Sequence, residues 1–395
     1  MSRIKIGIDG RYIQDHFPGI GRYTYNLVRA LRDMEGEFGY VLFIDERTSN
    51  SRYDLAALRC NNVQLLSLSA STFSLAEQVV LPFAVKQAGI ALFHSPYYVK
   101  PYLLPCPSVV TIHDASPARY PASLPSAKAR AAFWLTANLA VRTSKKVLAP
   151  SRFAEDDLVK FFQVPRAKVA VTYYAADERF QPGLAGTPQA EVVRRRYGLP
   201  SRYVLYLGTN KPLKNLVRLV DAFGEVTRRF HDNAGSPAPG NMPVLVLAGQ
   251  EDPRYPEARQ RVAQLSLAEW VRFVGDIAEE DQPYVYAMAD LFVFPSLAEG
   301  FGLPPLEAMA CGTAVVCSKA ASLPEVVGDA ALSFDPLNVE DIGQAIWTAL
   351  SDENLRRVLS EKGQFRARQF SWQRTAEQTA NVYRQLWKEV QHGGI

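Results

Sequence analysis

The sequence predicts an α/β protein of two Rossmann-like domains, each with a parallel sheet, that face a central cleft. Three observations lead to this prediction: short apolar strands alternate with helices, a Gly- and Pro-rich stretch at 181–200 interrupts the alternation, and the alternation then restarts. Strands this apolar, separated by helices, are typical of parallel sheets covered on both faces. A chain of 395 residues is long enough for two such domains.

The first block, residues 1–180, is predicted to be one domain. It opens with the strand-like run RIKIGID and a helix in which Ile20, Leu27 and Leu31 recur at helical spacing. Further runs rich in β-branched or aromatic residues follow: YVLFID, NVQLLSL, IALFHS, SVVTIHD and KVLAPS. Helices are predicted between most of these strands, including 127–144 and 151–162.

The second domain is predicted at 201–370, after a linker at 181–200. The strand-like runs YVLYLG, VLVLAG, VRFVG, LFVFPS and AVVCS alternate there with helices predicted at 214–230, 254–265, 281–288 and 304–311. Residues 231–241 are predicted to form a surface excursion. Ligands of open α/β sheets bind outside the carboxyl ends of the strands. The loops that follow strands are therefore the places to look for a site.

Composition narrows the class of protein. No apolar run approaches the roughly 18 residues of a membrane-spanning helix, and the first ten residues lead into a strand without a signal-peptide core. The four cysteines show no C-x-x-C spacing, so neither a zinc site nor a disulfide framework is predicted and a cytoplasmic location is expected. Residues 1–176 carry 21 Lys and Arg against 13 Asp and Glu. This balance suits an anionic partner such as a membrane surface, or is an ordinary solvated surface.

The stretch AEGFGLPPLEAMACG, residues 298–312, places Glu299 and Glu307 around a turn rich in Gly and Pro. Pro304 fits the first turn of a helix, and Gly312 fits the C′ position that closes it. The turn follows a strand, so the sequence predicts a strand, a loop and a short helix with an acid at each side of the helix start.

The start of this predicted helix is a natural anion site, because its backbone N–H groups have no partner within the helix. The groups concerned are those of Phe301, Gly302 and Leu303. A diphosphate bound there would have Glu299 before it and Glu307 in the first helical turn. The two acids could then reach hydroxyl groups on either side of the diphosphate.

Two further side chains of chemical interest follow strands. Lys214 is predicted at a helix start after the strand 203–207, where an ammonium can face phosphate groups. His113 ends a strand in SVVTIHD and is predicted to face the cleft, while Asp114 is expected to orient His113 or its loop. A glycine pair, Gly19 and Gly21, is predicted in a loop before a helix. It is not a dinucleotide fingerprint, since the third glycine would stand at Thr24.

The stretch EGFGLPPLEAMACGTAVVCS resembles the E-x7-E signature of retaining glycosyltransferases of family 4, which have the GT-B fold. Further stretches match in the family's order: PGIGRYTYNL, TIHDASP, VLAPSRFAEDDL, VPRAKVAVTYYAADERFQP, YLGTNKPLKNL, VRFVGDI and SLPEVVGDAALSFDP. The resemblance covers residues 4–385. It implies transfer from a nucleotide-sugar with retention of the anomeric configuration, without a cofactor or metal. It also implies that a C-terminal helix, within 371–395, packs back on the N-terminal domain.

The resemblance also assigns roles to residues. It implies that Glu299 holds donor-sugar hydroxyls, Glu307 the ribose, Lys214 the phosphates, and that His113 contacts the transferring sugar. Many members have Arg where this chain has Thr209 and Leu213, so phosphate neutralisation would depend more on Lys214 and backbone amides, with help from Asn210 or Lys211. The remaining predicted donor contacts are Gly19, Gly21, Gly208, Thr209, Asn210, Val274, Gly275, Ile277, Phe301, Gly302 and Leu303.

The donor and acceptor stay open at this stage. GDP-mannose is the first expectation for the donor, and UDP-glucose or another UDP-sugar the second. The acceptor is expected to be a glycan or lipid-linked glycan of a surface polysaccharide, with possible contact to the inner membrane surface and no nucleic-acid partner. Two other classes remain as alternatives: an oxidoreductase on paired Rossmann domains, and a protein that binds sugar nucleotides without turnover. Residues 127–146 suit either a membrane interface or a helix packed on the sheet.

Overall fold

The computed structural model describes residues 3–234 and 242–393, and the chain divides into two compact units. Unit 1 comprises residues 1–174 and 371–395, and unit 2 comprises residues 175–370. The last helix is thus grouped with the N-terminal residues. The division falls at 174–175, ahead of the stretch 181–200 that was predicted as a linker.

Unit 1 is a seven-stranded parallel sheet with helices. Its strands are β1 Ile4–Asp9, β2 Phe38–Ile44, β3 Val63–Ser67, β4 Leu92–Ser95, β5 Ser108–Thr111, β6 Lys146–Ala149 and β7 Val169–Val171. Its helices before the unit boundary are α1 Pro18–Arg32, α2 Glu77–Gln87, α3 Ser116–Arg119, α4 Ala127–Thr143 and α5 Arg152–Phe162. The C-terminal helix α14, Trp372–Gln391, completes the unit.

Unit 2 is a six-stranded parallel sheet with helices. Its strands are β8 Tyr203–Leu207, β9 Val244–Ala248, β10 Val271–Gly275, β11 Leu291–Phe294, β12 Val315–Ser318 and β13 Leu332–Phe334. Its helices are α6 Pro188–Tyr197, α7 Leu216–Ala234, α8 Glu257–Gln264, α9 Gln282–Ala287, α10 Leu303–Ala310, α11 Leu323–Val327, α12 Val339–Ser351 and α13 Glu353–Ala367.

In each sheet, successive strands are added first toward one edge and then toward the other, and this order reverses near the centre of the sheet. The order is β3-β2-β1-β4-β5-β6-β7 in unit 1 and β10-β9-β8-β11-β12-β13 in unit 2. The order reverses between β1 and β4 in the first sheet and between β8 and β11 in the second. Loops diverge to opposite faces at such a point, and the crevice they leave is where open α/β sheets bind ligands.

Local sequence signals account for several helix ends. The Ser151 hydroxyl accepts a hydrogen bond from the Ala154 N–H and caps helix α5, which was predicted at 151–162. Thr187 caps α6 in the same way, and Gly198 ends that helix in the left-handed conformation with φ +58°. Helix α6 therefore fills half of the predicted linker 181–200, so residues 188–197 form a helix within it.

The cores lie between the sheets and their helices. In unit 1, helix α4 buries Phe133, Ala137, Ala140 and Val141 against strands β5 and β6, so packing on the sheet accounts for the apolar face of 127–146. The predicted surface excursion at 231–241 lies largely outside the described residues, and residues 231–234 end helix α7. Among the described residues, no helix combines the length and apolar character needed to cross a bilayer.

Candidate functional site

A lysine and a glutamate meet at the point of strand reversal of unit 2. Lys214 ends a short 3-10 turn after β8, and Glu299 lies in the loop after β11. The Lys214 Nζ atom lies 2.5 Å from Glu299 Oε1, and the side chains are 23% and 15% exposed. The Lys214 ammonium also lies 5.5 Å from the centre of the Phe294 ring. The pair is accessible from solvent and still fixed in place.

Two serines fix the loop that carries Glu299. The Ser296 hydroxyl donates to Glu299 Oε1 over 2.6 Å, and the Ser322 hydroxyl lies 2.9 Å from the Glu299 carbonyl oxygen and 2.7 Å from that of Phe301. The Leu297 N–H donates to the Leu213 carbonyl over 2.8 Å. The loop after β11 is therefore tied directly to the turn that carries Lys214. Sequence reasoning missed both serines, although Ser296 stands three residues before Glu299.

Helix α10 begins directly after this loop, and its start requires glycine. Gly302 is the N-cap residue with φ +109°, and no side chain caps the helix. A Cβ atom at Gly302 would lie 2.6 Å from Leu323 Cδ2, so another residue would be both strained and crowded. Phe301 is 4% exposed, and its ring packs edge-on against Phe370 at 5.7 Å. Phe301 can therefore reach a ligand only through its backbone.

Glu307 lies deeper than the sequence suggested. Its side chain is 2% exposed, and its Oε2 atom accepts a hydrogen bond from the Tyr286 hydroxyl over 3.0 Å. Helix α10 begins at Leu303, so Glu307 is its fifth residue and no acid stands in its first turn. The expectation of Glu307 in the first turn was wrong, because the helix begins one residue before Pro304. Its predicted contact with a ribose stays a prediction.

The predicted loop at 208–210 borders a cavity of about 300 Å³. Gly208 and Asn210 line this cavity with Phe273 and Arg259. The Asn210 amide nitrogen donates to the carbonyls of Asp252 and Tyr255, and its oxygen accepts from the Asp252 N–H. The side chain of Asn210 thus secures the neighbouring loop, while Thr209 offers its carbonyl to the Tyr206 hydroxyl at 2.7 Å.

Three of the predicted donor contacts, Val274, Gly275 and Ile277, lie at the end of β10 or just after it. The register of β10 on β9 shifts between Phe273 and Gly275, which leaves Val274 out of the ladder, and such bulges redirect side chains next to binding sites. Gly275 has φ +79°. Ile277 is 2% exposed, so its side chain is part of the core and only its backbone can face a ligand.

His113 is held at both ring nitrogens. Its Nε2 atom lies 2.6 Å from the Pro96 carbonyl oxygen, so Nε2 donates, and Nδ1 accepts from the Tyr174 hydroxyl at 2.7 Å. Burial lowers the pKa of His113 to about 4, so the ring is neutral at pH 7. Asp114 is exposed and its Oδ1 accepts from the Ser116 N–H over 2.9 Å. Asp114 therefore shapes the loop and does not bond His113.

Gly19 and Gly21 lie inside a helix. Helix α1 begins at Pro18, because proline at the first position gives up no hydrogen bond. The expectation of a glycine loop before the helix was therefore wrong, and both residues stand in its first turn. A Cβ atom at Gly21 would lie 3.0 Å from the Tyr12 carbonyl oxygen, whereas Gly19 has open space around it.

The arrangement in unit 2 is suited to an anion that carries hydroxyl groups on a neighbouring moiety. An ammonium and the N–H groups of a helix start lie on one loop system at a sheet's point of reversal, and both favour phosphate oxygens. The adjacent carboxylate of Glu299 can accept hydrogen bonds from hydroxyl groups. Gly19, Gly21 and His113 belong to unit 1, and the other predicted site residues belong to unit 2.

Known proteins are similar to this chain in sequence and in fold. Residues 18–180 match the family model "Glycosyltransferase Family 4", and residues 191–366 match "Glycosyl transferases group 1". O-antigen chain mannosyltransferase B of Escherichia coli is 32% identical over 390 residues, covering 93% of this chain and 96% of that protein. These matches show that the chain is a glycosyltransferase.

Solved structures agree on the fold. Sucrose-phosphate synthase from Thermosynechococcus elongatus superposes with a TM-score of 0.74 at 21% identity, over 98% of this chain and 100% of that one. The Anabaena protein Alr3699/HepE in complex with UDP and glucose gives 0.72 at 20% identity, over 96% and 99%. The chain belongs to glycosyltransferase family 4, whose two parallel Rossmann-like domains make up the GT-B fold.

Proposed function

We propose that the protein is a retaining mannosyltransferase that moves mannose from GDP-mannose to a hydroxyl group of a glycan during polysaccharide synthesis. The observation that supports this proposal most is the Lys214–Glu299 pair at the start of helix α10. The choice of mannose rests on O-antigen chain mannosyltransferase B of Escherichia coli, which is similar along nearly the whole chain.

In this proposal the leaving diphosphate is the group that the protein stabilises. The bond between the mannose C1 atom and the β-phosphate oxygen breaks, and negative charge collects on the diphosphate. The Lys214 ammonium and the N–H groups of residues 301–303 stabilise that charge. Removing one such contact typically slows a reaction by roughly 10²–10³-fold. Glu299 exchanges its bond to Lys214 for hydroxyl groups of the mannose.

The acceptor hydroxyl attacks from the face that the diphosphate leaves. A new bond forms between the acceptor oxygen and C1, and the acceptor proton passes to the departing phosphate oxygen. No side chain acts as a general base in this scheme, and the configuration at C1 is retained. The proposal includes no metal and no cofactor, and EDTA is therefore expected to leave the rate unchanged.

A donor screen tests the proposal directly. Thermal shift and turnover are measured with GDP-mannose, UDP-glucose and ADP-glucose, and the anomeric configuration of the product is read by proton NMR. We expect a shift and turnover with GDP-mannose and an α-mannoside as product. Turnover only with a UDP-sugar would replace the donor assignment, and an inverted product would refute the retaining mechanism.

One variant tests the role assigned to Glu299. Glu299→Ala is expected to abolish transfer, while its melting temperature stays close to that of the wild type because the pair is partly solvated. Near-normal activity of this variant would refute the role of Glu299. Binding of GDP-mannose without any turnover by the wild type would favour the non-catalytic alternative.

A further inference from the structure

Three aromatic rings from three separate loops meet in unit 1. Phe17 precedes helix α1, Phe73 lies between β3 and α2, and Tyr97 follows β4. The Phe17 and Phe73 rings stack at 5.8 Å with an angle of 25°, and the Phe73 and Tyr97 rings lie 6.2 Å apart. These three rings, the aromatic strip, form a continuous apolar surface.

The strip lies at the ligand-binding edge of the first sheet. Its loops follow the carboxyl ends of β1, β3 and β4, and the strand order reverses between β1 and β4. The ring of Tyr12, which follows β1, packs against the strip. Its centre lies 5.3 Å from that of Phe17 and 5.5 Å from that of Tyr97. Tyr12 is fully buried. Ligands of open α/β sheets are expected at this edge.

Phe73 has two features that core packing does not explain. Its side chain is 54% exposed, and its backbone is in the left-handed region with φ +62°. A bulky residue rarely adopts this conformation, because its Cβ atom crowds the backbone. Backbone strain of this kind is concentrated at binding and catalytic sites. The chain thus tolerates strain in order to present an aromatic ring to solvent.

Polar groups lie next to the strip. Tyr98 follows Tyr97 with its ring 4.1 Å away. Asp114 directly follows His113, whose Nε2 atom donates to the carbonyl of Pro96, the residue before Tyr97. Asp114 is exposed, and only its Oδ1 atom accepts a hydrogen bond within the described residues. Its Oδ2 atom can accept hydrogen bonds from a ligand.

We propose that the aromatic strip binds a pyranose ring of the acceptor glycan, with the sugar's C–H face on Phe73 and Phe17 and its hydroxyl groups toward Asp114. Sugars have one apolar face and a polar rim, and this surface offers the exposed ring of Phe73 and the half-buried rings of Phe17 and Tyr97 beside a carboxylate. The inference rests on the proposed function and adds to it the place and chemistry of acceptor recognition. The residues named bind the acceptor and take no part in the bond exchange.

The test separates the strip from the fold and from the donor. Phe73→Asn removes the ring and places a residue that tolerates the left-handed conformation, so its melting temperature should equal or exceed that of the wild type. Phe73→Tyr keeps the ring. Phe83→Ala is the matched control, since Phe83 is a phenylalanine of the same unit, 60% exposed on helix α2.

Acceptor binding is measured by saturation-transfer NMR with methyl α-mannoside, and kinetics with an α-mannose oligosaccharide at saturating GDP-mannose. Loss of one aromatic stacking contact is expected to raise the acceptor KM of Phe73→Asn about tenfold and to weaken the NMR contact. The donor KM should stay unchanged, and Phe73→Tyr and Phe83→Ala should match the wild type.

Three results would overturn the inference: an unchanged acceptor KM in Phe73→Asn, a raised donor KM in that variant, or an equal rise in Phe83→Ala. These results differ from a failure of the proposed function. A wild type without turnover of any nucleotide-sugar would refute the proposed function. The NMR contact with the mannoside, and its loss in Phe73→Asn, would still test whether the aromatic strip binds a sugar.

Discussion

A charged group follows the central strand of each sheet, β1 in unit 1 and β8 in unit 2, but the two groups differ in burial. In unit 1, Arg11 bonds Asp9 through Nε and Nη2 at 2.8 and 2.7 Å, and Glu77 through Nη2 at 3.1 Å. The side chains of this cluster are 0–1% exposed. In unit 2, Lys214 and Glu299 form a single pair that is 23% and 15% exposed.

This difference indicates different roles for the charged groups that follow the central strands β1 and β8. The guanidinium of Arg11 also donates from Nη1 to the Ala70 carbonyl over 3.0 Å, so the cluster ties β1 to the loop after β3 and offers no access to a ligand. A partly exposed pair costs little to open, since solvent screens it. We infer that the first group stabilises the fold and that the second exchanges its partners when a donor binds.

After Glu299→Ala, the largest expected effect on the reaction rate comes from removing the exchangeable cation. Lys214→Ala is expected to lower kcat by roughly 10²–10³-fold, because the leaving diphosphate loses its charged partner. Steady-state kinetics with GDP-mannose measure this effect. The matched control is Lys362→Ala, which removes a lysine of the same unit that pairs with Asp329 at 2.7 Å. Equal losses in both variants would contradict a specific role for Lys214.

Removing the cation of the buried cluster, Arg11, should lower the stability of the fold. Arg11→Ala leaves Asp9 and Glu77 buried without their cation, which is expected to cost about 3–5 kcal/mol of unfolding free energy. Urea unfolding measures this cost, and hydrogen exchange of residues 4–9 localises it to β1.

Arg47 provides a close control for Arg11. It bonds Asp45 through Nε and Nη2, each at 2.8 Å, across the same sequence spacing, but its side chain is 55% exposed. The Asp45 side chain is 2% exposed and keeps a hydrogen bond from the backbone N–H of residue 47 after the substitution, so Arg47→Ala is expected to lower the stability clearly less than Arg11→Ala. A comparable loss in this variant would show that burial does not distinguish the two pairs.

The pH dependence of the cluster follows from Glu77. Burial raises the pKa of Glu77 to about 7 from 4.5, although the Arg11 charge opposes the rise. A raised folded-state pKa gives stability that is complete below about pH 4.5 and lost as the pH rises through about 7. Relative to Glu77→Gln, the wild type should therefore lose on the order of 2 kcal/mol between these limits. If the unfolding free energies of the two proteins changed in parallel from pH 4.5 to 8, this assignment would be contradicted.

The smallest effect should come from removing the hydroxyl group that positions Glu299. Ser296→Ala removes the hydroxyl that donates to Glu299 Oε1 over 2.6 Å, and a single hydrogen bond contributes about 1 kcal/mol. We expect the donor KM to rise about fivefold while kcat changes less, since Glu299 is still present but less well oriented. Ser296→Thr keeps a hydroxyl and should restore part of the donor affinity. A fall in kcat as large as that in Glu299→Ala would show that Ser296 does more than orient Glu299.

The sequence predicted the alternation of strands and helices well, because apolar strands and capped helices leave local signals. Ser151 and the strand LFVFPS are examples. Helix α6 was hidden in a stretch whose Gly and Pro residues suggested a linker. The signals for that helix, Thr187 at its N-cap and Gly198 at its end, were present but outweighed by QPGLAGTPQA.

The candidate site was predictable only in part. Lys214 and Glu299 could be named, because an acid before a helix start and a lysine after a strand have chemical meaning on their own. Their contact and the bracing by Ser296 and Ser322 join residues far apart in the chain, and no local pattern encodes such contacts. The aromatic strip is similar, since Phe73 is unremarkable in sequence and distinctive only through its backbone conformation and exposure.

The most direct test of the account is a crystal structure of the protein with GDP-mannose or GDP bound. We expect the diphosphate to lie at the start of helix α10, with phosphate oxygens within hydrogen-bond distance of Lys214 Nζ and of the N–H groups of residues 301–303. We also expect that Lys214 no longer bonds Glu299. An intact Lys214–Glu299 pair with the diphosphate bound elsewhere would contradict the account.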